Sequence, residues 1–295
     1  MLYLIAANLL WGSGSIFTRL ADQPATVIMF FRAAAAFATV AAYMLLKRRP
    51  LNLAGVWQWA LISGLFLGLN GLFFFLAVQT TTIGTAVLAC NTGPIFYITW
   101  ACLFLGEKFE RRTLLALPLA AAGVALLVAN CELSLTSRDF VGILYGLGSG
   151  LSYSLVVVIA KRFPHIPTAS LIFVQMGMAA ALFSPWIALS PPVLTVRSLG
   201  AMAVLGAVHS CLCLALYFTA LKTVKLQRAG ILGYLDPASA VLYAYLFFGE
   251  VPAFTTMLGG LCILSAGALT LQGSTGAKSR TADNPPTGDR TAGPP

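Results

Sequence analysis

The chain has 295 residues, of which 59% are hydrophobic and 9% are charged, with a net charge of +9 and a mean hydropathy of +0.87. Soluble domains carry roughly 25% charged residues, so a soluble fold of this length could not bury so much apolar surface. Because the basic residues lie mostly in short loops between apolar runs, the positive charge indicates membrane topology and contact with lipid headgroups, and we expect no nucleic-acid partner.

Apolar runs of about 20 residues recur along the chain and predict α-helices that cross a hydrocarbon core of about 30 Å. The first run lacks the basic start and the cleavage site of a signal peptide, so it is interpreted as a span. The predicted spans are residues 2–20, 25–46, 55–78, 82–105, 112–129, 140–160, 169–189, 198–221, 227–248 and 253–272. We therefore expect an all-α polytopic membrane protein with ten transmembrane helices and a disordered cytoplasmic tail at residues 273–295.

The distribution of Lys and Arg predicts the orientation in the membrane. Of the 18 basic residues, 14 fall on the side that would hold both termini, Arg19, Arg138 and Arg197 fall on the other side, and Arg32 lies within a span. Basic residues favour the cytoplasmic side, so both termini are expected there. One local signal opposes this orientation, because the first span has Arg19 at its outer end and no basic residue before it. The asymmetry also argues against a dual-topology dimer, and a monomer or weak dimer is expected.

An internal repeat appears at a separation of 143 residues, where PIFYITWACLFLGE at 94–107 lies over PASAVLYAYLFFGE at 237–250. Pro94 then matches Pro237, and Glu107 matches Glu250. The repeats are predicted to be residues 1–130 and 131–272, with five spans each. Five is odd, so the second repeat would be inverted in the membrane, which is typical of secondary transporters.

Four segments carry a resemblance to a known family: LLWGSGSIFTRL, FFRAAAAF, NTGPIFYITWACLFLGEKF and YLDPASAVLYAYLFFGE. They resemble the EamA-type branch of the drug/metabolite transporter superfamily. The resemblance implies a basket of ten helices, with a cavity between helices 1, 3, 4, 6, 8 and 9 and with helices 5 and 10 at the periphery. It also implies export of small metabolites, often amino acids, by proton exchange across a bacterial inner membrane, although some relatives import.

Asp236 and Pro237 interrupt the apolar run of the predicted ninth helix. Asp is a good helix N-cap and Pro is favoured at the first helical position, so the pair could restart a broken helix. A carboxylate inside a membrane is costly and usually faces a wet cavity, so Asp236 could instead exchange protons or bind a cation. Pro94 and Pro237 are predicted to mark two symmetry-related helix breaks.

Arg32 is either a structural arginine near the outer surface or an anchor for an anionic substrate group, with Asp22 and Asp236 as possible partners. Helical spacing places Asn8, Trp11, Ser15 and Thr18 on one face, and His209, Cys213 and Tyr217 on another. Small polar residues can also simply hold helices together. The candidate cavity residues are Trp11, Asn70, Asn91, Tyr153, His209, Tyr217 and Tyr234.

The sequence contains no Walker A motif, no HExxH or GxSxG motif and no CxxC pair, so no catalytic residue, metal or cofactor is expected. The function expected is a secondary-active transporter that exports small metabolites by alternating access. An importer, a facilitative carrier, a channel and a regulatory membrane subunit are the alternatives.

Overall fold

A computed structural model of the chain describes residues 2–53, 55–93, 95–97, 99–100, 111–129, 134–189, 191–221, 233 and 235–272. This part of the protein is helical and has no strand. The predictions for Pro94, for Tyr234 and for the tail from residue 273 lie outside the described residues, as do parts of the spans predicted at 82–105 and 227–248.

Several described helices coincide with predicted spans, while the spans predicted at 2–20, 82–105 and 198–221 are interrupted. The helices are α1 (Leu2–Gly12), α2 (Gly14–Ala21), α3 (Ala25–Leu46), α4 (Trp57–Thr80), α5 (Ile83–Cys90), α6 (Arg111–Val128), α7 (Arg138–Arg162), α8 (Thr168–Leu189), α9 (Val196–Val204), α10 (Cys213–Leu221), α11 (Leu235–Phe248) and α12 (Phe254–Gln272). Between α9 and α10 the chain forms a π-helical turn, Leu205–Leu212. Within the described residues, five helical segments are long and apolar enough to cross a membrane: α3, α4, α7, α8 and Val196–Ala220.

The first predicted span is not one continuous helix, so that prediction is corrected. The helix stops at Gly12, turns at Ser13 and restarts at Gly14. Glycine is required at the break because a Cβ at Gly12 would lie 2.9 Å from the carbonyl oxygen of Asp236 at the start of α11. Gly12 therefore lets α1 approach α11 closely, while Gly14 leaves room for the His209 ring, whose Cδ2 would lie 3.2 Å from a Cβ at that position.

The helices pack in pairs around the interior of the bundle. α4 lies along α7 and α8, and α3 packs against α8 and the π-helical turn. α6 and α12 pack against each other, and Gly123 and Gly259 allow this contact, since a Cβ at either position would meet the other's carbonyl oxygen within 3 Å. Small residues at such crossings are typical of membrane helices.

Polar side chains satisfy several helix starts. The Thr82 hydroxyl accepts a hydrogen bond from the Thr85 N–H at the start of α5, and Thr195 and Ser198 form a capping box at the start of α9. Each such bond pairs a backbone N–H that has no partner within its own helix. Within the bundle, the buried Gln175 amide donates to the Ser63 hydroxyl at 2.7 Å and joins α8 to α4.

Replacing Gly146 by Ala tests the tight contact between α7 and α5. The new Cβ would lie 2.5 Å from the Ala89 Cβ, so the helices must separate, and we expect a loss of about 1–3 kcal/mol and a melting temperature lowered by several degrees in detergent. Gly200→Ala is the matched control, because Gly200 is exposed and no atom lies within 4 Å of the position that the added methyl group would take. Equal melting temperatures for the two variants would contradict the close packing.

Candidate functional site

A central cavity of about 200 Å³ lies between α1, α2, α3, α4, α5, α7, the π-helical turn, α10 and the start of α11. It is far larger than the space that one water molecule needs. Ten of the residues singled out from the sequence line it: Asn8, Trp11, Ser15, Arg32, Asn70, Asn91, Tyr153, His209, Tyr217 and Asp236. Pro237 is buried next to Asp236 but is not part of the lining.

His209 connects the π-helical turn to the break in the first span. Its Nε2 lies 3.0 Å from the Ser13 hydroxyl, and its backbone carbonyl accepts a hydrogen bond of 2.8 Å from the indole N–H of Trp11. The imidazole also packs against the Phe17 ring, with 5.5 Å between the ring centres. These contacts fix the orientation of Trp11 and His209 on one wall of the cavity.

Asn70 connects α4 to α7 on another wall. Its amide donates to the hydroxyl of Ser149 at 2.9 Å and to the Ser149 carbonyl at 3.1 Å, while the Ser149 hydroxyl donates to the Asn70 carbonyl. Both residues line the cavity. The amide therefore contributes to helix association as well as to the polarity of the wall.

The helix that begins with α5 is interrupted beside the cavity. A turn at Asn91 and Thr92 follows Cys90, and the Asn91 amide donates back to the Val87 carbonyl at 2.9 Å. The Thr92 hydroxyl donates to the Ala89 carbonyl at 2.8 Å. The same two carbonyls also accept the backbone N–H groups of Asn91 and Thr92, so side chains and backbone together satisfy the interrupted helix.

Aromatic side chains form the apolar part of the cavity wall. The Trp11 and Tyr217 rings are 5.1 Å apart and tilted by 53°. Tyr153 lies next to Tyr217, and its hydroxyl is buried. The cavity therefore combines flat apolar surfaces with hydroxyl and amide groups, as small-molecule sites commonly do.

Asp236 lies in the first turn of α11, half-buried, with its side chain in the cavity lining. Its carboxylate forms no hydrogen bond and no ion pair with the described residues, so the capping hydrogen bond considered from the sequence is not observed among them. The helix N-terminus favours negative charge at this place. The carboxylate is thus available to the contents of the cavity.

Arg32 reaches the cavity from α3 and is held by neutral groups. Its Nε donates to the Ser210 hydroxyl, and its guanidinium lies 5.3 Å from the centre of the Phe75 ring. Neither Asp22 nor Asp236 forms an ion pair with it. Its partner is therefore a serine of the π-helical turn, which the sequence did not indicate.

The cavity-lining elements are joined at one end of the bundle by a charged cluster. Arg19 pairs with Glu250, and the other Glu250 oxygen accepts the Ile83 N–H at 2.9 Å at the start of α5. Nearby, the Thr81 hydroxyl donates to Asp139 at 2.8 Å. Glu250 thus links α2, α5 and the segment that follows α11.

Sequence reasoning missed the three serines that orient the cavity residues, namely Ser13, Ser149 and Ser210. Ser13 and Ser149 each had a local signal, because each stands between two glycines, whereas Ser210 had none. Among the described residues, no group of His, Cys, Asp and Glu side chains could hold a metal ion.

Comparison with known proteins identifies the family. The model of the EamA-like transporter family matches residues 1–129 and matches again at residues 140–272. The chain belongs to the EamA-like transporter family. EamA-family proteins are transporters rather than enzymes, so the chain is an integral membrane protein with a small-molecule substrate.

Two relatives illustrate the similarity. An uncharacterized transporter of Archaeoglobus fulgidus is 31% identical over 268 residues, which cover 89% of this chain and 92% of the relative. The pseudopaline exporter CntI of Pseudomonas aeruginosa is 25% identical over 250 residues, which cover 83% of this chain and 86% of the relative. A solved crystal structure with 20% sequence identity has a TM-score of 0.68 over 92% of this chain and 98% of its own, which shows a common fold.

Proposed function

We propose that this EamA-family protein is a secondary-active transporter that exports small metabolites, such as amino acids or related compounds, by alternating access. The observation that carries the proposal is the central cavity, where Arg32 and Asp236 line the same space as Trp11 and Tyr217 without pairing with each other. Separated charges between aromatic surfaces would suit a small polar molecule with an apolar part.

The proposed architecture is ten spans in two inverted repeats, residues 1–130 and 131–272. Interrupted helices beside a cavity support it, since transporters built from inverted repeats bind substrates at such breaks. The break at Asn91 and Thr92 supplies one of them, and Asp236 lies at the start of the described part of the other predicted helix. One half could then close as the other opens. The proposed oligomeric state is a monomer or weak dimer.

Alternating access is tested by counterflow in proteoliposomes. Compounds that raise the melting temperature of the purified protein are chosen first, because ligands of the folded state stabilise it. We expect saturable uptake of the labelled compound that increases when the vesicles are preloaded with the same unlabelled compound. Flux that rises without saturation would indicate a channel, and the absence of flux for all stabilising compounds would contradict transport.

Asp236→Asn tests proton exchange. The amide keeps the size of the side chain but cannot carry the proton, so we expect counterflow to persist while uptake loses its response to an imposed pH gradient. Asp22→Asn is the matched control, because Asp22 is exposed, lies outside the cavity and has a left-handed backbone that Asn tolerates. An unchanged response to the gradient in Asp236→Asn would show that this carboxylate does not carry the coupling proton.

The proposed location is a bacterial inner membrane with both termini in the cytoplasm. The excess of basic residues on that side supports this orientation. Membrane-impermeant thiol labelling of intact cells provides the test, with a single cysteine introduced either at Arg48 or at Arg138 in a background without native cysteines. We expect labelling at position 138 and none at position 48, and the reverse pattern would contradict the orientation.

A further inference from the structure

Arg32 carries a positive charge inside the bundle that the described protein groups do not neutralise. The ion pair between Arg19 and Glu250 at the end of the bundle is the only one formed within the described part of the chain. An arginine remains charged in proteins, and a charge inside a membrane is costly unless it is compensated. The cavity next to Arg32 is the place where a ligand could compensate it.

The π-helical turn fixes the direction of the Arg32 side chain. The Ser210 hydroxyl donates to the Leu205 carbonyl at 3.0 Å, five residues earlier, and accepts from the Arg32 Nε. A serine in a regular α-helix would bond the carbonyl three or four residues earlier instead. The π-helical geometry therefore commits the hydroxyl hydrogen to Leu205 and directs an oxygen lone pair at Arg32.

The remaining guanidinium edge forms no hydrogen bond with the described residues. Only the Nε–H is used in a hydrogen bond with the described residues, so the N–H groups on Nη1 and Nη2 stay uncommitted there. Phe75 supports one face of the guanidinium, and Gly71 leaves room for Nη1, since a Cβ there would come within 2.8 Å of it. Two parallel N–H groups in this arrangement match the two oxygens of a carboxylate.

We propose that the Nη edge of Arg32, positioned by Ser210, is the subsite that binds the anionic, carboxylate-like group of the transported molecule. This inference rests on the proposed transport function, since it assigns a role within the same cavity. Ser210 is a positioning residue, because it acts on the ligand through Arg32. Asp236 lines the same cavity but leaves the guanidinium unpaired, so among the described residues no carboxylate supplies the anion.

Benzoate and benzamide are suitable probes, because they share a flat ring and differ in charge. Binding is followed at pH 7.5 by tryptophan fluorescence of the purified full chain, since Trp11 lines the cavity, and Trp11→Phe identifies its share of the signal. We expect saturable binding of benzoate and at least tenfold weaker binding of benzamide. No saturable benzoate signal would overturn the subsite.

Three variants separate the role of charge from general damage. Arg32→Gln should weaken benzoate binding at least tenfold and change benzamide binding less than twofold. Arg32→Lys keeps the charge without the paired N–H groups and should weaken benzoate binding less than Arg32→Gln does. If Arg32→Gln does not fold, the comparison of Arg32→Lys with the wild type tests the proposal by itself. Ser210→Ala should weaken benzoate severalfold and leave benzamide unchanged, whereas mere distortion of the cavity would weaken both.

Equal benzoate affinity in the wild type and in the Arg32 variants would contradict the proposal. Counterflow shows which inference has failed. Counterflow of a neutral compound that is unchanged in Arg32→Gln, together with unchanged benzoate binding, would overturn the anion subsite and leave transport intact. Benzoate binding that depends on Arg32, without counterflow of any compound, would instead overturn the transport function and leave the subsite intact.

Discussion

A backbone polar group that loses its helical partner inside a membrane has no water to replace it. At the interruptions around the cavity, backbone N–H groups of the turn and side chains of the same segment meet this constraint together, since the Leu10 and Val87 carbonyls each accept one bond of both kinds. The Ser13 hydroxyl donates to the Leu10 carbonyl, the Asn91 amide to the Val87 carbonyl, and the Ser210 hydroxyl to the Leu205 carbonyl. Irregular helices are thus stable here, and they bring polar residues to the cavity that regular helices would direct elsewhere.

The charged residues follow two different arrangements. At the end of the bundle, Arg19 and Glu250 pair with each other and with backbone groups, so their charges are used within the protein. In the cavity, Arg32 and Asp236 are held apart, and neither forms an ion pair with the described residues. The first arrangement joins helices, while the second leaves opposite charges available to a molecule that enters the cavity.

Much of the fold and of the candidate site followed from local pattern. The span predicted at 25–46 coincides with α3, because a long apolar run bounded by Pro24 and Lys47 specifies a membrane helix without help from its neighbours. Helical spacing also selected Trp11, His209 and Tyr217, which share the cavity wall. The break at Ser13 and the π-helical turn were not predicted, because close approach between helices distant in sequence decides them.

The sequence by itself determined that the chain is an apolar, helical membrane protein. It also determined the EamA-like motifs and identified the polar residues that lie within the apolar helices. Only the tertiary structure decided which of these residues meet. Ser210 is 178 residues from Arg32, and Glu250 is 167 residues from Ile83. Hydrophobic periodicity specifies which face of a helix is buried, but the partner across that face depends on the packing of the whole bundle.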